Sequence, residues 1–267
     1  MRKLEVREIQ KVLLNVMIDF DSFCKEHQLT YYMIGGTALG AYRHSGFIPW
    51  DDDIDVGMPR DDYEKLLKLN QKIGNDYELS HYRNTKNCDY ALTRIYIPGT
   101  EIDNPVLRKA KADKRLYFDI FPLDYIPANM MERRKHKNQI VFLKKILSFV
   151  DYKDYGRGKI KSAARKVLSI CLMPAGNLIL RYLNSCMAKY DNEGYLCSLA
   201  SQYSYEKQAF AADVYGRPCE YLFEGHLFKG PQNMEAYLAQ LYGANFMELP
   251  PEEKRRPGCD VFAVDKL

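Results

Sequence analysis

A chain of 267 residues, 46% hydrophobic and 28% charged, has the make-up of an ordinary globular protein and is long enough for one substantial core with an appended subdomain. Its formal net charge of +4, from 39 Lys+Arg against 35 Asp+Glu, gives no global field that would draw it to nucleic acid. Seven cysteines at irregular spacing, with no Cys-x-x-Cys pair, argue against a zinc site and for reduced thiols in the cytosol.

The N-terminus is too polar for the apolar stretch of a secretory signal, so the protein is expected to stay inside the cell. From Ile9 the apolar residues Ile9, Val12, Leu13, Val16, Met17, Phe20, Phe23 and Cys24 follow i, i+3, i+4 spacing, which predicts an amphipathic helix. Residues 30–34 read as a short apolar strand ending at Gly35-Gly36, where small residues allow close approach of a ligand to the backbone. Thr37 then suits the N-cap of a short helix through Arg43.

Four aspartates follow within five positions, Asp51, Asp52, Asp53 and Asp55. In a strand over 51–56, Asp51, Asp53 and Asp55 share one face while Ile54 and Val56 anchor the other. Like charges on one strand face repel and raise one another's pKa values unless a cation neutralises them. Magnesium, a hard ion that shares oxygen ligands with substrate phosphates, is the natural candidate, and manganese is its alternative. The competing reading is a solvated acidic turn.

Downstream, Pro59 and Asp61 open a predicted helix through Tyr63, Leu66, Leu67 and Ile73, ended by Gly74-Asn75. Residues 77–82 and 90–97 alternate as strands, the second with Ala91, Thr93, Ile95 and Ile97 on one face and Leu92, Arg94 and Tyr96 on the other. The lysine-rich residues 98–115 read as a mobile loop. Residues 116–124 form a buried-looking strand interrupted by Asp119, which falls beside Asp53 and Asp55 if these strands share a sheet.

From 129 to 202 the pattern turns helical and basic. Two clusters stand out, Arg108, Lys109, Lys111, Lys114 and Arg115, and then Arg133, Arg134, Lys135, Lys137, Lys144 and Lys145; they suit an anionic substrate or an anionic membrane surface. The most apolar run, 167–180, is broken by Ser169, Pro174, Gly176 and Asn177. It falls short of the ~20 residues a spanning helix needs, so it is expected in the fold or on a membrane but not across one. The last segment returns to a strand over 219–223, a helix around 233–242, and a Pro250-Pro251 turn before a basic tail. Neither repeats nor low-complexity tracts occur.

Residues 35–60, Gly-Gly-Thr-Ala-Leu-Gly-Ala-Tyr-Arg-His-Ser-Gly-Phe-Ile-Pro-Trp-Asp-Asp-Asp-Ile-Asp-Val-Gly-Met-Pro-Arg, resemble the signature of the LicD family of phosphocholine transferases, relatives of the fukutin-type proteins in the nucleotidyltransferase superfamily. Residues 118–124, 237–243 and 247–255 are similar to the family's central and C-terminal blocks, and the helical middle carries no matching motif. Family members often have a histidine near the end of the terminal block, where this chain reads Arg256-Pro257-Gly258-Cys259-Asp260.

The resemblance implies an α+β fold, a nucleotidyltransferase-like mixed sheet flanked by helices with a mostly helical insertion. It divides the chain into a catalytic core over 1–128, a helical basic region over 129–208 that faces an acceptor or a membrane, and a C-terminal segment over 209–267 packing back on the core. It implies a transferase that moves phosphocholine from CDP-choline to a hydroxyl of a cell-surface glycan precursor of teichoic acid or lipopolysaccharide type, releasing CMP. A pair of magnesium ions would bridge Asp53, Asp55 and the donor diphosphate, with Asp119 completing the metal site and positioning or deprotonating the acceptor. Asp51, in the same acidic cluster, is expected among the substrate-binding residues.

Gly35, Gly36 and Thr37 would present amides and a hydroxyl to phosphate, and Arg43, His44 and Arg94 would grip its oxygens. The alternatives are that Arg43 pairs with Asp51 or Asp52, that His44 is structural and that Arg94 lies at the surface. Trp50 either faces the choline ammonium by cation–π attraction or packs behind the aspartates. Competing functions are transfer of another CDP-linked alcohol phosphate, such as ribitol, glycerol or ethanolamine, nucleotidyl transfer from a triphosphate, and a non-enzymatic adaptor at the membrane surface. The expected partners are thus a CDP-alcohol, a glycan or lipid-linked glycan acceptor, and a peripheral membrane contact at the inner face of the plasma membrane.

Overall fold

The computed structural model describes residues 1–69, 72–74, 77–85, 88, 90–103, 113–150, 159–191 and 194–264, with the side chains of 159–164 set aside. In chain order its elements are β1 (Arg2–Lys3), α1 (Val6–Glu26), β2 (Tyr32–Met33), α2 (Gly35–His44), β3 (Asp55–Pro59), α3 (Arg60–Leu69), β4 (Glu78–Ser80), β5 (Thr93–Tyr96), β6 (Thr100–Asp103) and β7 (Tyr117–Tyr125). A helical stretch follows, α4 (Met130–Val150), α5 (Lys159–Leu172) and α6 (Gly176–Met187). Then come β8 (Tyr195–Cys197), β9 (Ala209–Ala211), α7 (Ala212–Tyr215), β10 (Cys219–Phe223), β11 (His226–Gly230), α8 (Met234–Tyr242) and β12 (Asp260–Ala263). The expected α+β class with a mixed sheet and a helical insertion is what the chain forms.

The main sheet runs β2-β3-β7-β5-β4, and β8 pairs with the far end of β7 and carries β9. Only β3 and β7 are parallel; their register sets Asp55 beside Asp119, and the antiparallel β5 sets Arg94 on the other side of Asp119. Three chemically active residues therefore occupy one row across three strands, with neighbouring strands about 4.8 Å apart.

Helix α1 buries the predicted stripe, Leu13, Val16, Met17 and Phe20 being fully buried, and each such side chain stabilises the fold by roughly 1.5–3 kcal/mol. Phe20 meets Tyr31 and Phe118 with ring centroids 5.2 Å apart, which ties this helix to β7. At the other end of the parallel pair, Arg60 donates to both oxygens of the buried Asp124 at 2.6 and 2.8 Å. This bidentate pair locks the start of α3 onto β7. Breaking one partner would strand a buried charge, so Asp124 is structural in spite of its place in a signature block.

Several elements depart from expectation. The strand expected over 51–56 begins only at Asp55; the Asp51 N–H instead donates to the Ile48 carbonyl at 2.9 Å and its carbonyl accepts from Gln10. Thr37 does not cap α2, which starts at Gly35; the residue sits in its first turn, and its Oγ1 accepts from the Asp55 N–H at 2.9 Å. Helix α3 ends at Leu69, and Ile73 instead bridges Tyr77; Asn75 lies outside the described residues. Part of the expected loop over 98–115 is strand β6, in which buried Thr100 and Ile102 alternate with half-buried Glu101 and Asp103. Its partner β12 comes from the basic tail, too distant in sequence for local patterning to reveal. Arg108, Lys109 and Lys111 lie outside the described residues.

Beyond α6 the region expected to stay helical to 202 turns into β8. The run expected to be broken and too short is likewise different: residues Arg165–Met187 form a continuous helical stretch, long and apolar enough to cross a membrane by length and composition. Pro174 falls in the 3-10 turn Met173–Ala175, where its missing N–H costs little, and the Ser169 hydroxyl is satisfied by the Val150 carbonyl at 2.7 Å.

Candidate active site

The site is built where β2 ends and α2 begins. Gly35 has φ +56°, a left-handed conformation that glycine adopts without strain, and its N–H donates to the Tyr237 hydroxyl at 2.9 Å. Tyr237 is fully buried against Phe210 and Tyr215, so α8 reaches across the chain to hold this turn from behind. Ile34 donates to the Asp55 carbonyl at 3.1 Å, and Asp55 donates in turn to Thr37. A side chain at Gly35 would meet Asp55 Oδ2 at 3.3 Å, and one at Gly36 would meet Asp51 Oδ2 at 2.8 Å. The two glycines thus leave room for carboxylates against bare backbone at the N-terminal end of a helix.

The loop carrying Asp51 to Asp53 is fixed at both flanks. Buried Gln10 on α1 donates to the carbonyls of Ile48 at 3.2 Å and Asp51 at 3.0 Å. Asp52 is buried and accepts from the Cys259 backbone N–H at 2.9 Å, which points it away from its neighbours and toward the tail. The Cys259 thiol, 3.3 Å from the same oxygen, is pushed up to about 12 by burial and by Asp52.

Asp51, Asp53, Asp55 and Asp119 interact as one electrostatic group. Burial and then Asp53 and Asp52 push Asp51 up to about 8. Asp53, which keeps one face in solvent but is hemmed in on the others, is pushed up to about 6 by lost hydration, Asp52 and Asp119. Asp55 stands well above the ordinary carboxylate range through burial and the charges of Asp53, Asp119 and Asp51, and Arg94 opposes the shift. Asp119 is raised by burial and drawn back by Arg94, whose Nε donates to it at 3.0 Å.

Arg94 is itself sandwiched between the rings of Tyr90, 4.3 Å from its centroid, and Tyr117, 4.0 Å away. This stacking and the bond to Asp119 hold the guanidinium beside the carboxylates rather than at the surface.

The structure does not bring every candidate to this point. Arg43 lies at the far end of α2, about 12 Å along the axis from Gly35, and donates to the carbonyls of Phe246 at 3.0 Å and Glu248 at 3.1 Å and to His44 Nε2 at 3.0 Å. Neither Asp51 nor Asp52 is its partner among the described residues, and burial lowers both Arg43 and His44. These two residues join α2 to the segment after α8. Trp50 packs on the core with the Arg255 guanidinium 5.7 Å from its ring centroid, so a cation already sits over its face.

Four contributors escape sequence reading: Tyr237, Gln10, the Cys259 amide, and the tyrosine pair around Arg94. Gln10 leaves one signal, a polar residue beside Ile9 on the buried stripe of α1, and Tyr237 stands at the head of a signature block. The others depend on long-range register.

Among the described residues no three His, Cys, Asp or Glu side chains form a ready-made metal cage. The donor set nevertheless fits magnesium or manganese. Such ions are held by one or two carboxylates together with substrate phosphates and water, and crowded carboxylates with raised pKa values are what a divalent ion would relieve. Asp53 and Asp55 would hold it, with Asp119 adjacent.

The raised carboxylates have a consequence for metal-free protein. By pH 5.5 the unfolded chain has released protons from aspartates near 3.9, while the folded chain retains them up to about 6 at Asp53 and about 8 at Asp51. The folded state binds more protons in this window, so stability falls as pH rises through it. In EDTA, Asp51→Asn should therefore gain stability over the wild type between pH 5.5 and 8.5 in denaturant unfolding. Comparing variant with wild type cancels other titrations, such as that of buried His81, lowered to about 4. Parallel pH curves for the two proteins would refute the clustering.

Comparison with known proteins gives the class first: residues 28–149 match the family model described as LicD/FKTN/FKRP, nucleotidyltransferase domain. Over 270 aligned residues, 96% of this chain and 97% of the relative, it is 28% identical to the lipopolysaccharide cholinephosphotransferase LicD of Haemophilus influenzae. Uncharacterised proteins of Rickettsia typhi and Rickettsia prowazekii are each 28% identical over 120 residues, covering 44% and 42% of this chain and 36% and 44% of their own. The chain thus carries a LicD-type domain over residues 28–149 and is similar to a LicD protein over nearly its whole length.

Proposed function

We propose that this protein is a metal-dependent transferase of nucleotidyltransferase type that moves phosphocholine from CDP-choline to a hydroxyl of a cell-surface glycan precursor. The observation that carries the reading is similarity over nearly the whole chain to a lipopolysaccharide cholinephosphotransferase. The clustering of Asp53, Asp55 and Asp119 beside the Gly35–Thr37 turn supports it, since phosphoryl transfer is mostly positioning and charge neutralisation.

In this scheme the acceptor oxygen forms a bond to the phosphorus bearing choline, the bond from that phosphorus to the bridging oxygen breaks, and CMP departs with the electron pair. A bound divalent ion would neutralise the charge that develops on the diphosphate. The amides of Gly36 and Thr37 orient the donor phosphates, the Gly35 N–H being held by Tyr237. Asp119, held by Arg94 at 3.0 Å, receives or directs the acceptor proton.

The test is CMP release by the full-length protein with CDP-choline, magnesium and a lipopolysaccharide or teichoic-acid precursor. Release is expected only when donor, acceptor and metal are all present. Faster turnover with CDP-ribitol, CDP-glycerol or CDP-ethanolamine would reassign the transferred group, and pyrophosphate release from a triphosphate would replace the reaction with nucleotidyl transfer.

A further inference from the structure

The helical stretch from α4 to α6 carries charge and apolar surface that the carboxylate site does not use. Residues 130–189 contain fourteen Lys and Arg against three Asp and Glu, while the remainder contains 25 against 32. The protein's net positive charge therefore resides in less than a quarter of its length.

Half of the large apolar side chains left exposed among the described residues are on the same helices. Val141 and Phe142 on α4, Val167 and Ile170 on α5, and Leu178 and Tyr182 on α6 are each 51–70% exposed. Exposed lysines and arginines are interleaved with them at helical spacing: Lys145 lies three and four residues from Phe142 and Val141, Lys166 four from Ile170, and Arg181 three from Leu178. Among the described residues these three cations take part in no ion pair with an acidic side chain.

The path of the chain decides how this face meets its partner. Arg165 donates to the Ser148 carbonyl at 2.6 Å and Ser169 to that of Val150, so α5 lies at the far end of α4. Gln139 reaches the Tyr182 hydroxyl at 3.2 Å and His136 the Cys186 carbonyl at 3.0 Å, so α6 returns along α4 toward its start. Beyond the Met173–Ala175 turn, Leu180, Leu183 and Met187 face the protein core. A stretch apolar enough to span a bilayer is thus partly used for packing, 28% of its most apolar window being buried. Exposed apolar side chains with cations three or four residues away that, among the described residues, have no acidic partner are the chemistry of an interfacial element.

We propose that α4, α5 and α6 form a docking face for an anionic lipid bilayer, with Val167, Ile170 and Leu178 entering the acyl boundary and Lys145, Lys166 and Arg181 on the headgroup phosphates. Charge complementarity selects the occupant: a face so rich in cations repels a second copy of itself and attracts an anionic surface. The face begins beyond the end of β7, about 20 Å along that strand from Asp119, so it places the enzyme without entering its chemistry.

The test is flotation of the full-length protein with vesicles of phosphatidylglycerol and phosphatidylethanolamine, or of phosphatidylcholine alone. The wild type should float with the anionic vesicles, lose most binding in 0.5 M salt, and fail to float with phosphatidylcholine. The variants Val167→Ser/Ile170→Ser/Leu178→Ser and Lys145→Glu/Lys166→Glu/Arg181→Glu should each bind about tenfold less or weaker still, with unchanged melting temperature. Wild-type flotation that neither variant reduces would overturn the proposal, as would insertion resistant to carbonate extraction. Sedimentation as a dimer that the serine variant dissolves, without flotation, would assign the face to self-association. Because flotation needs no turnover, its outcome is independent of the donor and acceptor.

Discussion

Asp55→Asn should lower turnover by about three orders of magnitude or more while leaving the melting temperature of metal-free protein equal to or above that of the wild type. Asp55 lies against the Gly35 turn and shares its row with Asp119. An amide there keeps the shape of the carboxylate and removes the charge needed to hold a cation against a diphosphate. The expected stability has the opposite sign from that of an ordinary damaging mutation. Burial and three neighbouring carboxylates make ionised Asp55 unfavourable in the folded state, and asparagine removes that penalty. Asp53→Asn should behave alike. Steady-state CMP release and thermal unfolding measured on the same preparations separate the two effects, and near-normal turnover in either variant would refute the assignment.

CDP-choline with magnesium should raise the melting temperature by roughly 5–10 °C at a hundredfold excess over its Kd, an effect of about 2.7 kcal/mol on a chain of this size. Neither component alone should do so, since the carboxylates repel the diphosphate without the ion and the ion lacks its phosphate ligands without the donor. EDTA should abolish the shift, and Asp53→Asn should reduce it to that of a nucleotide bound without metal. A triphosphate that outperforms every CDP-alcohol would favour nucleotidyl transfer.

What the sequence reveals about this protein follows the range of the interactions involved. The stripe on α1, the glycine turn, the alternation of β5 and the interrupted strand around Asp119 are local patterns, and each appears in the structure near its expected place. Arg94 reaches Asp119 because alternation on β5 correctly put it on the face opposite Thr93 and Ile95.

The acidic loop is less legible. Asp51 and Asp53 were expected on a strand face, but they stand in a loop held by Gln10 and Cys259, residues 41 and 207 positions from the groups they bind. Thr37 illustrates the same limit, since its hydroxyl serves a strand 18 residues away instead of its own helix. Strand β12 lies in a tail that reads as basic and irregular, and only its pairing with β1 and β6 gives it order. Arg43 was a reasonable phosphate ligand by its place in the motif; ten residues of helix carry it to the wrong end.

The most direct measurement is a crystal structure with CDP-choline and manganese, read by anomalous scattering. One manganese peak is expected about 2.1 Å from oxygens of both Asp53 and Asp55, touching the donor diphosphate, with Asp119 facing the phosphorus that bears choline. A diphosphate seated elsewhere, or a metal that ignores these carboxylates, would contradict the account.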